Sequence, residues 1–267
     1  MKRNKTFDKG IVTLSFDDAR KDTYRVFKEV LEIKKIPCTL NVPAGYVEIG
    51  FNDFRDVGYN GLMSKEELDE MANSFLVEIS SHGYMHTDSD QDTIAGVNKL
   101  CDWYPYLSGK IGYAVPHSSI SKDIIEKREQ WYKELGIQYV RGGRDFEKNR
   151  VFKRAISLLA RKMNSSVIYT NLYKHSMNYK RSFYLNAVPL NRETTLKQVK
   201  ALLDYCASNK TWLIIEIHGV DYKNSDEYQE IYCFDRMYFE GLCDYIKCLL
   251  EDNKIEIRKT IDVIRGL

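Results

Sequence analysis

Ile11-Val12-Thr13-Leu14-Ser15-Phe16-Asp17-Asp18 is the stretch on which the fold of this chain is read. An uncharged run rich in β-branched and aromatic residues stops at two adjacent carboxylates, which reads as a buried strand ending at a turn. The next stretch, 22–34, carries Tyr24, Phe27, Val30 and Leu31 at helical spacing. Strand followed by amphipathic helix is the unit from which parallel sheets are built.

The unit recurs along the chain. Strands are expected at 38–43, 76–81, 111–115, 137–141, 166–170, 183–189, 211–217 and 255–258. Helices are expected at 65–74, 92–103, 122–135, near 150–162, at 195–208 and at 236–252. Ser64 and Glu67 form a capping box at one helix start, and Gly136 is placed to terminate another. This pattern predicts an α/β fold, a distorted (β/α) barrel of about seven strands forming a single domain over residues 1–267. An open doubly wound sheet is the alternative. In a barrel the catalytic groups stand at the C-terminal ends of the strands.

Composition narrows the function. The chain has 267 residues, 40 Lys+Arg against 38 Asp+Glu, a net charge of +2 and a hydrophobic share of 43%. Such near-balance argues against a nucleic-acid binder, which carries a basic stripe. No apolar run approaches the ~20 residues of a membrane span. The six cysteines show no C-x-x-C pair and are expected as reduced thiols. No apolar segment precedes Ile11, so a secretory signal is not expected and the reading is cytoplasmic. A cytoplasmic enzyme of surface glycans would meet precursors such as a nucleotide sugar, a lipid-linked oligosaccharide or a capsule intermediate.

Histidines mark the chemistry. There are five, and His82, His86, His117 and His218 all fall at or just past the ends of expected strands, whereas His175 reads as surface. His82 and His86 are four apart and can face one metal if the segment turns helically. Taken alone, that spacing is also met by chance on surfaces. The Asp17-Asp18 doublet changes the balance, because adjacent carboxylates repel unless a cation or proton compensates. One can ligate a metal while the other takes a proton from water. A single Asp there would read as a turn or cap. His218 ends the apolar run Trp212–Ile217 and can protonate a leaving group. Glu216, two residues earlier on the same face, is a candidate to orient it. The cluster Trp103-Tyr104-Pro105-Tyr106 offers faces for sugar stacking, although helix-end packing is the expected role.

The three pieces occur in order, each after a strand. Together Leu14-Ser15-Phe16-Asp17-Asp18, Ser81-His82-Gly83-Tyr84-Met85-His86 and Ile215-Glu216-Ile217-His218-Gly219 resemble the motifs of the polysaccharide deacetylase superfamily, carbohydrate esterase family 4. The first is similar to T-F-D-D, with Ser for Thr. The second is similar to H-[ST]-x-x-H, with Gly83 in place of the hydroxyl residue. The third motif, R-x-P-P-Y-G, is met only by Gly112–Ser118, where Pro116 fits, the arginine is missing and His117 replaces the aromatic. Arg141 and Arg144 are candidates to supply that arginine. The fourth motif, an acid partner for the late histidine, is not recognisable.

The resemblance implies one divalent metal, Zn²⁺ first and Co²⁺, Ni²⁺ or Fe²⁺ as alternatives, held by Asp18, His82 and His86. It implies Asp17 as base, His218 as acid and the backbone N–H of His117 as oxyanion donor. The expected substrate is a carbohydrate that loses an N-acetyl or O-acetyl group by attack of a metal-activated water. No G-x-S-x-G motif is present, as such a mechanism needs no serine. The alternatives are a deformylase of a lipid-linked amino sugar and a catalytically decayed carbohydrate-binding protein on the same scaffold.

Overall fold

Strand β1 (Gly10–Phe16) is buried along its whole length and paired in parallel on both edges. On one edge lies β8 (Trp212–Ile217). The other edge is shared: β11 (Ile255–Ile257) pairs with Gly10–Val12, and β2 (Cys38–Val42) with Leu14–Phe16. The computed structural model describes residues 7–50, 61–142, 156, 163–225 and 231–267.

From β2 the sheet continues in parallel through β3 (Val77–Ser81), β4 (Ile111–Ala114), β5 (Ile137–Arg141) and β6 (Tyr184–Leu185). Beyond β8 lies β7 (Val188–Pro189). Only Asn186 and Ala187 separate β6 from β7. One segment therefore bonds to β5 on one side and to β8 on the other, and the sheet closes. The Asn178 side chain makes this possible by donating to Asn186 O and accepting from Asn186 N, which would otherwise lose their ladder partners. The expected strand at 183–189 is this closing segment, and the distorted barrel follows.

Period-two alternation sorts the side chains of β1. Val12, Leu14 and Phe16 enter the main apolar cluster with Val26, Phe27, Leu202, Leu203, Leu242 and Phe239, from the helices that wrap the sheet. Each such fully buried side chain contributes about 1.5–3 kcal/mol. Thr13, Ser15 and Asp17 take the opposite face, toward the barrel interior, and are also buried. That interior combines a second, smaller apolar cluster, with Ile11, Trp212, Ile214 and Leu185, and buried hydrogen-bonded polar groups. Near its base Thr13 accepts from Trp212 Nε1, and Glu78 accepts from Thr39, Tyr139 and the Ile261 N–H.

Several expectations needed correction. Residues 166–170 form no strand; Ser166–Tyr173 is a helix capped by the Ser165 side chain. Its β-branched residues suggested a strand, but Tyr169 and Tyr173, four apart and both buried, define a helical face. The expected helix at 122–135 is two short helices, Lys122–Lys127 and Glu129–Glu134, interrupted at Arg128. Helices Ala44–Ile49 and Thr260–Arg265 and the parallel pair β9 (Gly219–Asp221) and β10 (Cys233–Asp235) had no sequence reading. The stretch near 150–162 lies outside the described residues, Ile156 apart, as does Arg144. Tyr104 and Tyr106 bond to Asp69 and Ala72 O at the foot of the helix Lys65–Ala72, so their cluster packs a helix end. No helix among the described residues is long and apolar enough to cross a membrane.

Glu78 makes the barrel base sensitive to pH. Burial pushes its carboxyl up from 4.5 to about 6, against the three hydrogen bonds that favour the ionised form. Between those values the native state keeps a proton that the unfolded chain has released. Stability from this group therefore falls as pH rises, by about 2 kcal/mol between about pH 4 and pH 7. Urea unfolding of wild type and Glu78→Gln across this range is expected to show the wild type losing ground to the variant. A constant difference would contradict the account.

Candidate active site

The carboxylate doublet sits where β1 ends, and the backbone there decides what each acid does. Asp17 continues the strand, and its N–H bonds to Ile217 O. Asp18 and Ala19 then adopt left-handed conformations, with φ of 74° and 51°. Two consecutive left-handed residues break the alternation that would send neighbouring side chains to opposite faces, and both carboxylates reach one mouth. Both are almost completely buried.

Around Asp18 two imidazoles converge. His82 Nε2 and His86 Nε2 each lie 3.5 Å from Asp18 Oδ1 and 3.1 Å from one another. His82 Nδ1 is 2.9 Å from Ala114 O, so Nδ1 carries a proton and Nε2 is turned toward Asp18. Asp18 Oδ1 is buried and makes no regular hydrogen bond among the described residues. A carboxylate oxygen and two imidazole nitrogens, all within 4.8 Å of one another, are a donor set that fits a divalent ion of the zinc type. The segment between the histidines is not helical. It is a bend with Gly83 at φ 78° and His86 at φ 55°, which corrects the expected helical turn.

Asp17 is gripped differently. Arg141, at the end of β5, donates to Asp17 Oδ1 and Oδ2 at 2.7 and 2.6 Å and to Glu216 Oε2 at 2.7 Å. β5 and β1 are separated by three strands in the sheet, so this contact crosses the barrel interior. Asn41 adds a donor to Asp17 Oδ1 at 2.8 Å, and also reaches Ser15 Oγ and Phe16 O. Burial alone would raise the Asp17 pKa, but the Arg141 cation, then His82 and His218, outweigh it and hold the carboxyl below its usual value. For Asp18 the same burial is outweighed by the neighbouring His82 imidazole and by the His218 and His86 charges. His82 is raised: burial opposes its charged form, and the Asp17 and Asp18 carboxylates prevail.

His218 Nε2 stands 3.9 Å from Asp17 Oδ2 at the mouth, partly exposed beside the half-exposed ring of Tyr232. The expected orienting acid, Glu216, lies close to it, with Oε2 engaged by Arg141. The His218 Nδ1 atom is buried and finds no hydrogen-bond partner among the described residues. Asp17, Glu216 and His218 form a second group of close donor atoms. Arg141 already brings a positive charge to it, which disfavours a cation there.

Pro116 is buried at the start of a tight turn (Pro116–Ser118), where His117 and Ser118 are left-handed. The exposed His117 ring packs against His86 at 4.3 Å between centroids, and Tyr46 meets His86 from its edge at 5.8 Å. The sequence reading thus brought Asp17, Asp18, His82, His86, His117, Arg141, Glu216 and His218 to one mouth. It missed Asn41, Tyr46 and Tyr232. Asn41 had a signal, as a polar residue inside the apolar run 38–42.

Comparisons with known proteins bear on the family and the fold. The polysaccharide deacetylase family model matches residues 4–140, just over half of the chain, and the chain belongs to that family. No curated protein gives a match. Among solved structures the fold is similar to that of Bc1960, a peptidoglycan N-acetylglucosamine deacetylase in complex with 4-naphthalen-1-yl-N-oxidanyl-benzamide. That likeness covers 98% of this chain and 91% of the other, at 11% identity and a TM-score of 0.52. A family 4 acetyl xylan esterase from Clostridium thermocellum, in complex with a cobalt ion, matches 96% and 92% of the two chains at 15% identity and 0.47. The deacetylase domain of BpsB from Bordetella bronchiseptica matches 49% of this chain at 19% identity and 0.36; 62% of that chain is covered.

Replacing Arg141 with Met leaves Asp17 and Glu216 buried without their shared cation. In metal-free protein this is expected to cost about 3–5 kcal/mol of unfolding free energy, read by denaturant titration. Adding Asp17→Asn and Glu216→Gln to Arg141→Met is expected to recover most of the loss. A loss below about 1 kcal/mol for the single variant would mean that Arg141 does not neutralise the pair.

Proposed function

We propose that the chain is a metal-dependent hydrolase that removes N-acetyl or O-acetyl groups from a carbohydrate. The observation that carries this reading is the convergence of Asp18 Oδ1, His82 Nε2 and His86 Nε2, with a second, separately held carboxylate beside them. Asp18, His82 and His86 would hold one divalent ion, Zn²⁺ first and Co²⁺, Ni²⁺ or Fe²⁺ as alternatives. Such an ion, when bound, supplies a lowered pKa to water and polarises the acyl carbonyl.

Asp17, kept ionised by Arg141, takes the proton of the attacking water. The His117 backbone N–H donates to the acyl oxygen as it gains charge, and Pro116 fixes the turn that presents it. His218 protonates the departing amine or alcohol. Its Nε2 lies 3.9 Å from the base, so proton uptake and release occur at one cleft. Glu216 acts through Arg141, holding the guanidinium that grips Asp17. Arg141 thus takes the place of the arginine missing from Gly112–Ser118.

The His218 Nδ1 atom, without a hydrogen-bond partner among the described residues, favours one rival, a carbohydrate-binding protein on a decayed scaffold, because an acid histidine is ordinarily oriented through its second nitrogen. Acetate release from acetylated amino sugars and xylan fragments, with Zn²⁺, Co²⁺ or Ni²⁺ added, separates the two. Turnover is expected; oligosaccharide binding without acetate release favours the rival. A formylated amino sugar in the same panel tests the deformylase reading.

Substitutions then assign the roles. Asp17→Asn and His218→Ala are each expected to keep about one metal per chain while the rate falls by about 10²-fold or more. Asp18→Ala, and the pair His82→Ala with His86→Ala, are expected to lose metal by elemental analysis. Wild-type activity in Asp17→Asn, or unchanged metal in the double histidine variant, would overturn the assignment.

A further inference from the structure

We infer that Asp92 is a positioning residue for the metal-binding loop, and that Gly83 exists to admit its carboxylate. This rests on the reading that Asp18, His82 and His86 hold the ion. Asp92 lies in the first turn of the helix Asp90–Trp103 and is buried. Its carboxylate accepts three backbone N–H groups from the loop that carries the histidines. Tyr84 and Thr87 donate to Oδ2 at 3.0 Å each, and Met85 donates to Oδ1 at 2.6 Å. One side chain thus fixes the backbone between His82 and His86 and the residue just past it, on either side of His86, whose own φ is 55°. Left-handed backbone at a non-glycine residue is unfavourable and persists only when surrounding bonds hold it.

Gly83 completes the device. A Cβ built there would fall well inside contact distance of Asp92 Oδ2, and φ is 78°. A Cβ at Gly96, one helical turn past Asp92, would likewise run into the Gly83 carbonyl. The helix therefore sits directly on the loop through two glycines, and the carboxylate occupies the space a side chain at 83 would need. The hydroxyl residue expected at this place in the motif is replaced by an acid reaching in from the next helix. The helix start is itself tied down, since Ser89 Oγ accepts from Asp92 N and Thr93 bonds to Tyr113 on β4. Loop geometry, and with it the separation of the two imidazoles, is set from outside the loop.

Groups that orient metal ligands typically contribute 10–100-fold in metal affinity. Co²⁺ binding to the full chain, followed by its visible absorption with far-ultraviolet circular dichroism as a fold control, tests the inference. Asp92→Ala is expected to weaken Co²⁺ binding by about 10-fold or more and to change the cobalt band while the dichroism stays native. Asp92→Asn keeps one carbonyl oxygen for two of the three donors and is expected to fall in between. It also serves as the measurable variant if Asp92→Ala does not fold. Gly83→Ser, which restores the motif, is expected to weaken binding rather than strengthen it. Wild-type affinity and band shape in Asp92→Asn together with Asp92→Ala, or in Gly83→Ser, would overturn the inference. Failure of the wild-type protein to bind Co²⁺ at all would instead overturn the metal assignment on which it rests.

Discussion

Arg141 between Asp17 and Glu216 is the interaction on which the rest of this structure depends. Two carboxylates and one guanidinium are closed off from water inside the barrel. A buried acid without a partner would protonate or unfold the site, since desolvation penalises its charge. The guanidinium satisfies both acids at once, using a forked geometry that a lysine cannot reproduce. It also ties β5 to β1 and β8 across the interior. The barrel's cross-section and the state of its central acid are thus set by the same contact.

Below this triad buried hydrogen bonds run beside a small apolar cluster, through Asn41 and Ser15 and, lower, through Glu78, Tyr139, Thr39 and Thr260. Above it the backbone turns left-handed at Asp18, Ala19, His86, His117 and Ser118. Such residues cost about 1 kcal/mol or more each, and five of them gather at one mouth. Each bends the chain away from strand geometry where a side chain must face the cleft. The apolar helix-to-sheet layer outside supplies the burial that sustains this strain. Rigidity at the base and bent backbone at the rim therefore serve one arrangement.

Much of this was legible because period-two and period-3.6 patterns record which faces are buried. The run Ile11–Phe16 and its doublet gave β1 and the mouth, and Trp212–Ile217 with His218 gave the strand beside it. Ser166–Tyr173 misled because β-branched residues fit a strand, while the capping Ser165 and the Tyr169–Tyr173 pair settle it as a helix only through tertiary packing. The second partner of Arg141, Glu216, was also beyond the sequence. The arginine was a candidate from its place after a strand, yet nothing along the chain tells that it reaches across the barrel to Glu216. Asp92 gave no signal either, because one acid in a helical first turn looks like any other.

The most direct measurement is anomalous diffraction from crystals grown with Zn²⁺ or Co²⁺. The account predicts one peak between Asp18, His82 and His86, at about 2.0–2.1 Å from both Nε2 atoms, with Asp17 still gripped by Arg141. A peak among Asp17, Glu216 and His218 instead, with Arg141 displaced, or none at the Asp18 site at saturating metal, would contradict it.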